Sequence, residues 1–384
     1  MWAHCKKIST LMIGLFIFNQ SCVAEIRQPY ADANALQALE PDEQRLWSAS
    51  NDFEKAIRKG GQIYASPELE AYLQSVMDKL YPEFAGKIKV HVVNSPVLNA
   101  FAIPNGNIYM HTGLLSRFDN EAQLATVLAH EGAHFVYRHG YFNQQSVKGS
   151  SAFATITAVI GVPIVGLIGN IIATSSIYGY SRELETEADN MGFNRLIKAG
   201  YDPSEAHKVF EHLAKEVKLS DVQESFFYST HPKLKDRVDN FTKLAALHPN
   251  SGVMNTEQYS ANVDKLRMES LEQELSFGRY KHVIALLSDE TVLQRYPSTV
   301  HYYLGEAYRK RNEKEDAEIA MREFDKTIAL NASFAPAYRA RGLLLMSQNK
   351  TEQAISMFRR YLELAPEASD QSYVNGYLET LAKQ

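Results

Sequence analysis

The chain has 384 residues, 45% of them hydrophobic, so it can bury one substantial core and still carry a second domain. Its 40 Lys and Arg against 45 Asp and Glu give a net charge of −5, which excludes the basic footprint of a nucleic-acid-binding protein. Both cysteines lie within the first 22 residues, so a disulfide framework is excluded as well.

Residues 1–24 read as an export signal: Lys6 and Lys7, then an apolar stretch over 8–18, then Cys22-Val23-Ala24 as a small-x-small cleavage site. Cleavage there places the chain in the periplasm without a thiol and takes its charge from −5 to −5 − 2 = −7. A lipid anchor on Cys22 is the less favoured reading, because Asn19-Gln20-Ser21 lack the leucine and small residues such a site usually shows.

Between 41 and 80 the apolar spacing of Leu46, Phe53, Ile57, Leu69, Leu73, Val76 and Leu80 predicts two or three helices broken at Gly60-Gly61. Alternation then predicts a strand over 87–93 and a second over 107–111 after the Pro104-Asn105-Gly106 turn, together a short antiparallel sheet. The segment Asn99-Ala100-Phe101-Ala102 precedes that turn. If one of these strands is an exposed edge it could pair with an extended peptide; otherwise they form an ordinary hairpin packed on the next helix.

That helix spans 120–140 and carries His130, Glu131 and His134 as H-E-x-x-H. Asn120 offers a cap with Gln123 three positions on, and Gly140 a left-handed stop. Histidines four apart share a helix face, so both imidazoles can reach one zinc ion while Glu131 points at the water beside it. A surface helix that merely carries these residues is the alternative, but Leu124, Val127, Leu128 and Ala129 predict burial, and a buried His-Glu-His cluster needs polar partners. His139 reads as structural.

Residues 149–181 contain no charge and no histidine, and 152–173 form an apolar run long enough to suggest a membrane span. Pro163 with Gly161, Gly166 and Gly169 favours a bend instead, hence two short helices acting as a lid, a peripheral membrane contact or a core hairpin. The next segment, SRELETEADNMGFNRLIKAG, brings Glu183, Glu185, Glu187 and Asp189 together on a helix. A zinc ion held by two histidines needs a third ligand, and with cysteine gone a carboxylate is expected. A third histidine at the spacing that another H-E-x-x-H class uses would fall at Gly140, and Tyr137 stands where that pattern has glycine.

Beyond the turn-rich residues 248–252 the chain is helical and repeats itself. Phe324 and Phe358 are 34 apart, as are Ala320 and Ala354, with Pro366 closing the unit, which is the tetratricopeptide period. Gly305 to Gly342 is 37, which puts about three extra residues in the turn 309–318. A more degenerate unit is expected over 264–287, since fewer than three units rarely bury a core. Such an array offers a groove for a peptide or partner protein, or simply covers the preceding domain.

HEGAH, SRELETEAD and STHPKLKDR, in that order, resemble the zinc metallopeptidase family that includes the HtpX heat-shock proteases and the CAAX prenyl proteases, over roughly 43–247. The resemblance is greatest to exported members with a C-terminal repeat region. It implies a mainly α fold with a small β-sheet, a gluzincin-like metallopeptidase domain over 25–247, followed by an α-helical tetratricopeptide array over 253–384. It also implies one Zn2+ per chain on His130, His134 and Glu185, with Asp189 either a proton donor or a holder of a ligand imidazole. The latter is preferred, because an aspartate paired to a metal-bound imidazole stays ionised. His231, in the H-P-x-x-x-x-R element that ends at Arg237, would stabilise the oxyanion or block the zinc. Glu183 and Glu187 would be solvated charges. The expected reaction is peptide-bond hydrolysis, with Glu131 taking a proton from water and passing it to the leaving amine. Polypeptide substrates and an envelope or outer-membrane protein partner bound through the repeats follow, in quality control or assembly of the cell envelope. A periplasmic chaperone or adaptor with a latent zinc site is the alternative, and survival of activity in Glu131→Gln would distinguish it.

Overall fold

A computed structural model describes residues 28–147, 180–219, 234–248 and 252–383. The expected export signal with Cys22, His231, the turn 249–251 and all of 149–181 except Tyr180 and Ser181 lie outside the described residues.

Two helices come first, as the glycine pair implies. Helix α1, Pro41–Lys59, stops at Gly60, and Gly61 adopts φ 68. Helix α2, Pro67–Leu80, starts on a Ser66 cap whose side chain accepts from the Leu69 amide, with Pro67 in the first turn where its missing N–H costs nothing. One face of α2 buries Leu69, Leu73, Val76, Met77 and Leu80.

A three-stranded sheet follows, made of β1 (Lys89–Val93), β2 (Ala100–Ala102) and β3 (Asn107–His111) in the order β1-β3-β2. The expected antiparallel pairing of 87–93 with 107–111 is corrected: β1 runs parallel to β3, from Lys89↔Asn107 to Val93↔His111. The tight turn, with Gly106 at φ 87, joins β3 to β2, and these two are antiparallel. Residues 94–99 instead carry the chain from β1 across to β2. Strand β2 is thus an edge. Since Asn99 and Ile103 bond to β3 through His111 N to Asn99 O (3.0 Å) and Ile103 N to Asn107 O (2.9 Å), the alternating peptide groups of Ala100 and Ala102 point away from it.

After the short α3, Thr112–Leu115, comes α4, Glu121–Val136, in which every residue is buried. A helix apolar on all sides must be covered on all sides, and here the cover is α2, the sheet, α6 (Arg182–Lys198), α7 (Ala206–Leu219) and α9 (Thr256–Ser276). Helix α5, His139–Val147, follows α4 directly, and α8, Leu234–Ala246, packs on α7. The buried cluster continues past residue 252: Tyr259, Val263 and Leu266 of α9 belong to the same core as Leu124, Val127 and Leu128 of α4.

The remaining helices are α10 (Tyr280–Leu287), α11 (Glu290–Leu293), α12 (Val300–Arg311), α13 (Asp316–Leu330), α14 (Ala335–Ser347), α15 (Thr351–Leu364) and α16 (Gln371–Leu381). The pairs α12/α13 and α14/α15 are helical hairpins built on one contact used twice. A Cβ on Gly305 would sit 2.6 Å from the Phe324 ring, and one on Gly342 2.7 Å from the Phe358 ring. The extra residues of the first hairpin are not all in its turn: they divide between the end of α12, the turn and the start of α13. Among the described residues no helix is long and apolar enough to cross a membrane.

Candidate metal centre

Helix α4 starts on the expected cap, with the Asn120 side chain accepting from the Gln123 amide at 3.1 Å. The return bond is displaced by one residue: Gln123 Oε1 accepts from the Asp119 amide at 2.9 Å. At the other end the expected left-handed Gly140 is replaced by Arg138, at φ 59. A non-glycine residue is held there because its guanidinium grips Glu43 of α1 with two bonds, Nε to Oε1 at 2.9 Å and Nη2 to Oε2 at 2.8 Å. Gly140 itself lies inside α5. Within the motif, a Cβ on Gly132 would fall 2.3 Å from the Tyr81 ring, whose hydroxyl donates to the Ala129 carbonyl at 2.5 Å. The glycine of HEGAH is therefore a packing requirement.

Helix α6 crosses α4 at close range because Gly192 lies on its backbone: a Cβ there would be 2.9 Å from His130 N and 3.0 Å from Ala129 C. That crossing carries Glu185 to the two histidines. His130 Nε2 is 3.0 Å from His134 Nε2, Glu185 Oε1 is 3.3 Å from His134 Nε2, and Glu185 Oε2 is 3.6 Å from His130 Nε2. Ligands about 2.05 Å from a tetrahedral ion stand about 3.3 Å from one another. The three side chains thus fit a zinc ion, and all are buried. Burial, followed by the Arg237 charge, lowers the pKa of His130 to about 4, so its lone pair is free for a metal at neutral pH. Glu131 is fully buried beside them.

Each of the two imidazoles is backed by further polar side chains. His130 Nδ1 is 2.9 Å from Asp189 Oδ1, one turn beyond Glu185 on α6. Arg237 of α8 clamps the same carboxylate, Nη2 to Oδ1 at 2.5 Å and Nε to Oδ2 at 3.1 Å, and lies over the Phe210 ring. Burial alone would raise the Asp189 carboxyl, but Arg237 and His130 outweigh it and hold it below the usual range, hence ionised. His134 Nδ1 lies 2.8 Å from His139 Nδ1, whose other nitrogen is 3.4 Å from Glu187 Oε2. The Tyr180 ring stacks on His134 at 3.9 Å.

Of the residues singled out from sequence, the structure brings His130, Glu131, His134, Glu185 and Asp189 together. Glu183 is exposed as expected. Glu187, expected as a solvated charge, is half-buried, with Oε2 3.4 Å from His139 Nε2. The partnerships of Arg237 and His139 were not anticipated. The arginine of H-P-x-x-x-x-R was a signal for the first; the second had none beyond its spacing from His134.

Residues 65–245 match the family model of peptidase family M48. Curated relatives include the Mitochondrial metalloendopeptidase OMA1 of Arabidopsis thaliana, 37% identical over 39% of this chain and 30% of that protein. The protein of the same name from Saccharomyces cerevisiae is 33% identical over 41% of this chain and 47% of its own length. The Beta-barrel assembly-enhancing protease of Escherichia coli is 27% identical over 48% of this chain and 40% of that protein. The chain therefore spans less than half the length of each of these relatives.

Proposed function

We propose that this chain, whose residues 65–245 form a peptidase family M48 domain, is a metalloendopeptidase that holds one zinc ion per chain on His130, His134 and Glu185. The observation that carries this reading is the convergence of the two Nε2 atoms of α4 and the Glu185 carboxylate of α6, with closest separations of 3.0, 3.3 and 3.6 Å, near the edge length of a tetrahedral site. When bound, the ion supplies Lewis-acid polarisation of a peptide carbonyl and makes water more acidic.

The protein's own groups do the rest. Glu131, fully buried next to the ligands, takes the proton of the attacking water and returns it to the leaving nitrogen as the C–N bond breaks. Asp189, kept ionised by Arg237 and 2.9 Å from His130 Nδ1, would hold the imidazole hydrogen on that nitrogen and leave Nε2 free to bind, which requires the Arg237 Nη2–H now 3.0 Å from Nδ1 to turn to the carboxylate. Strand β2 is an edge of the sheet, but Ala100 and Ala102 are buried, so it is not the exposed edge that pairing with an extended polypeptide needs. Next to β2 lies a narrow cleft lined by Tyr30, Ile103, Pro104, His134 and Tyr141. His231 serves as an oxyanion donor or as a ligand that blocks the zinc.

We infer further that the protein is exported and acts on cell-envelope proteins. Support comes from the composition of 1–24 and from relatives named beta-barrel assembly-enhancing proteases. Other relatives are named mitochondrial, so the compartment rests on the N-terminal reading. The 34-residue spacing and the doubled Gly–Phe contact favour a tetratricopeptide-type surface for a protein partner, and 149–181 would be a lid or a peripheral membrane contact. Zinc content and casein cleavage of the purified protein test the central reading. Glu131→Gln should keep stoichiometric zinc and lose cleavage, whereas His130→Ala, His134→Ala and Glu185→Ala should lose both. Full zinc in Glu185→Ala would overturn the ligand set, and cleavage by Glu131→Gln would overturn the proton-transfer role.

A further inference from the structure

We propose that His139 and Glu187 are positioning residues for the zinc ligand His134, forming a relay from His134 Nδ1–H through the His139 imidazole to the Glu187 carboxylate. The inference rests on the assignment of His134 as a ligand through Nε2.

Its first support is a proton count along the chain of atoms. His134 Nε2 faces His130 Nε2 at 3.0 Å and Glu185 Oε1 at 3.3 Å, so the ring nitrogen that binds metal is Nε2. A neutral imidazole that offers a lone pair at Nε2 carries its hydrogen on Nδ1. That hydrogen points at His139 Nδ1, 2.8 Å away. Two N–H groups cannot face each other at this distance, so His139 Nδ1 must be the acceptor and its own hydrogen must sit on Nε2. The hydrogen on His139 Nε2 then lies on the side of Glu187, whose Oε2 is 3.4 Å away, within ion-pair distance although no hydrogen bond is formed there. The tautomers of both rings are thereby fixed by the 2.8 Å contact between them.

The second support is how the fold delivers His139 to this place. Arg138 in the left-handed region turns the chain sharply between α4 and α5 and brings His139 back under the last turn of α4. The strained residue is tied to Glu43 by two hydrogen bonds. His139 is itself fully buried, with its ring in a T-shaped contact with Tyr180, which stacks on His134. Glu187 lies on α6 between Glu185 and Asp189, so one helix supplies the third ligand and a terminal acceptor for both ligand histidines. The two imidazoles differ in reach: Asp189 touches His130 directly, whereas Glu187 acts on His134 through another ring.

Such outer partners commonly contribute 10–100-fold to metal affinity. Zinc affinity of the full chain, measured by competition with a chelator of known strength, should fall by about that range in His139→Ala and by roughly a few-fold in Glu187→Gln. His139→Gln should recover much of the loss, because an amide oxygen can accept from His134 while its NH2 donates to Glu187. A structural role alone would lower the thermal midpoint of the metal-free protein and leave the affinity of the folded fraction unchanged, which would overturn the proposal. If His139→Ala does not fold, long-range 1H–15N spectra of the zinc-loaded wild type decide instead. They should show hydrogen on His134 Nδ1 and on His139 Nε2, and a hydrogen on His139 Nδ1 would overturn the relay. Failure of the ligand assignment itself is separable, since zinc would then also survive His134→Ala.

Discussion

Arg237 shows how much of this site is set by a single buried charge. Its guanidinium holds both oxygens of Asp189, and Nη2 also lies 3.0 Å from His130 Nδ1. Arg237→Met leaves Asp189 as a buried carboxylate stripped of its main counter-charge, and removing one member of a buried pair costs about 3–5 kcal/mol. Urea denaturation should show that loss, together with weaker zinc binding. Arg237→Lys should rescue little, because an ammonium cannot reproduce a two-pronged grip. A stability change below about 0.5 kcal/mol, the size of an ordinary surface substitution, would show that the pair contributes nothing. At this scale the grouping of His130, Glu131 and His134 was legible because H-E-x-x-H on a helix constrains its own geometry. The supporting residues were not. Which side chain sits behind an imidazole depends on how a distant helix approaches, and neither the distance from Arg237 to Asp189 nor that from His139 to Glu187 is written in local spacing.

The approach of α6 to α4 depends on a residue with no chemistry. Gly192 is an unpromising residue for the middle of a helix, where it costs about 1 kcal/mol relative to alanine. Its place is explained by the backbone of Ala129 and His130, against which a Cβ would fall at 2.9–3.1 Å. Gly192→Ala should therefore push α6 away from α4, destabilise the fold by about 1–3 kcal/mol as overpacking does, and weaken zinc binding without altering any ligand. Unchanged zinc affinity in a folded Gly192→Ala variant would show that the crossing has slack. Element positions were legible in the sequence and element partners less so. The alternation in 87–93 identified β1, yet alternation looks the same in parallel and antiparallel pairs, and the intervening β2 decided the direction. The three-residue β2, with two alanines, gave almost no strand signal of its own. Its pairing is imposed by the Gly106 turn and by the edge of β3.

At the scale of the whole molecule the helices around α4 and the C-terminal helices share a charged junction. Arg117, just after α3, donates to Glu216 of α7 at 2.7 Å, and His282 of α10 bridges Glu216 (2.6 Å) and Glu274 of α9 (3.3 Å). Arg279 faces Glu274 at 3.4 Å, Arg295 faces Asp119 at 2.6 Å, and Lys215 pairs with Asp289. Burial would lower the pKa of His282, but the two carboxylates outweigh it and push it up to about 9. Glu216 moves the other way, to about 2, because Arg117 and His282 outweigh its burial. The signs then define a window. A histidine raised from 6.5 contributes stability that is complete below about pH 6.5 and is lost as pH climbs through 9. A glutamate lowered from 4.5 contributes stability that is complete above about pH 4.5 and is lost as pH falls toward 2. Stability from this junction should therefore be greatest near pH 5–6.5 and should decline by roughly 3 kcal/mol between pH 6.5 and 9, one proton being released over that interval. Other groups titrate there too, so the informative quantity is the difference between wild type and His282→Gln. Unfolding free energies from urea titrations at pH 6.5, 7.5 and 9 should converge as pH rises, because the variant has no proton to lose. Parallel curves for the two proteins would mean that His282 is neutral in the fold and that the junction is held by the arginines alone.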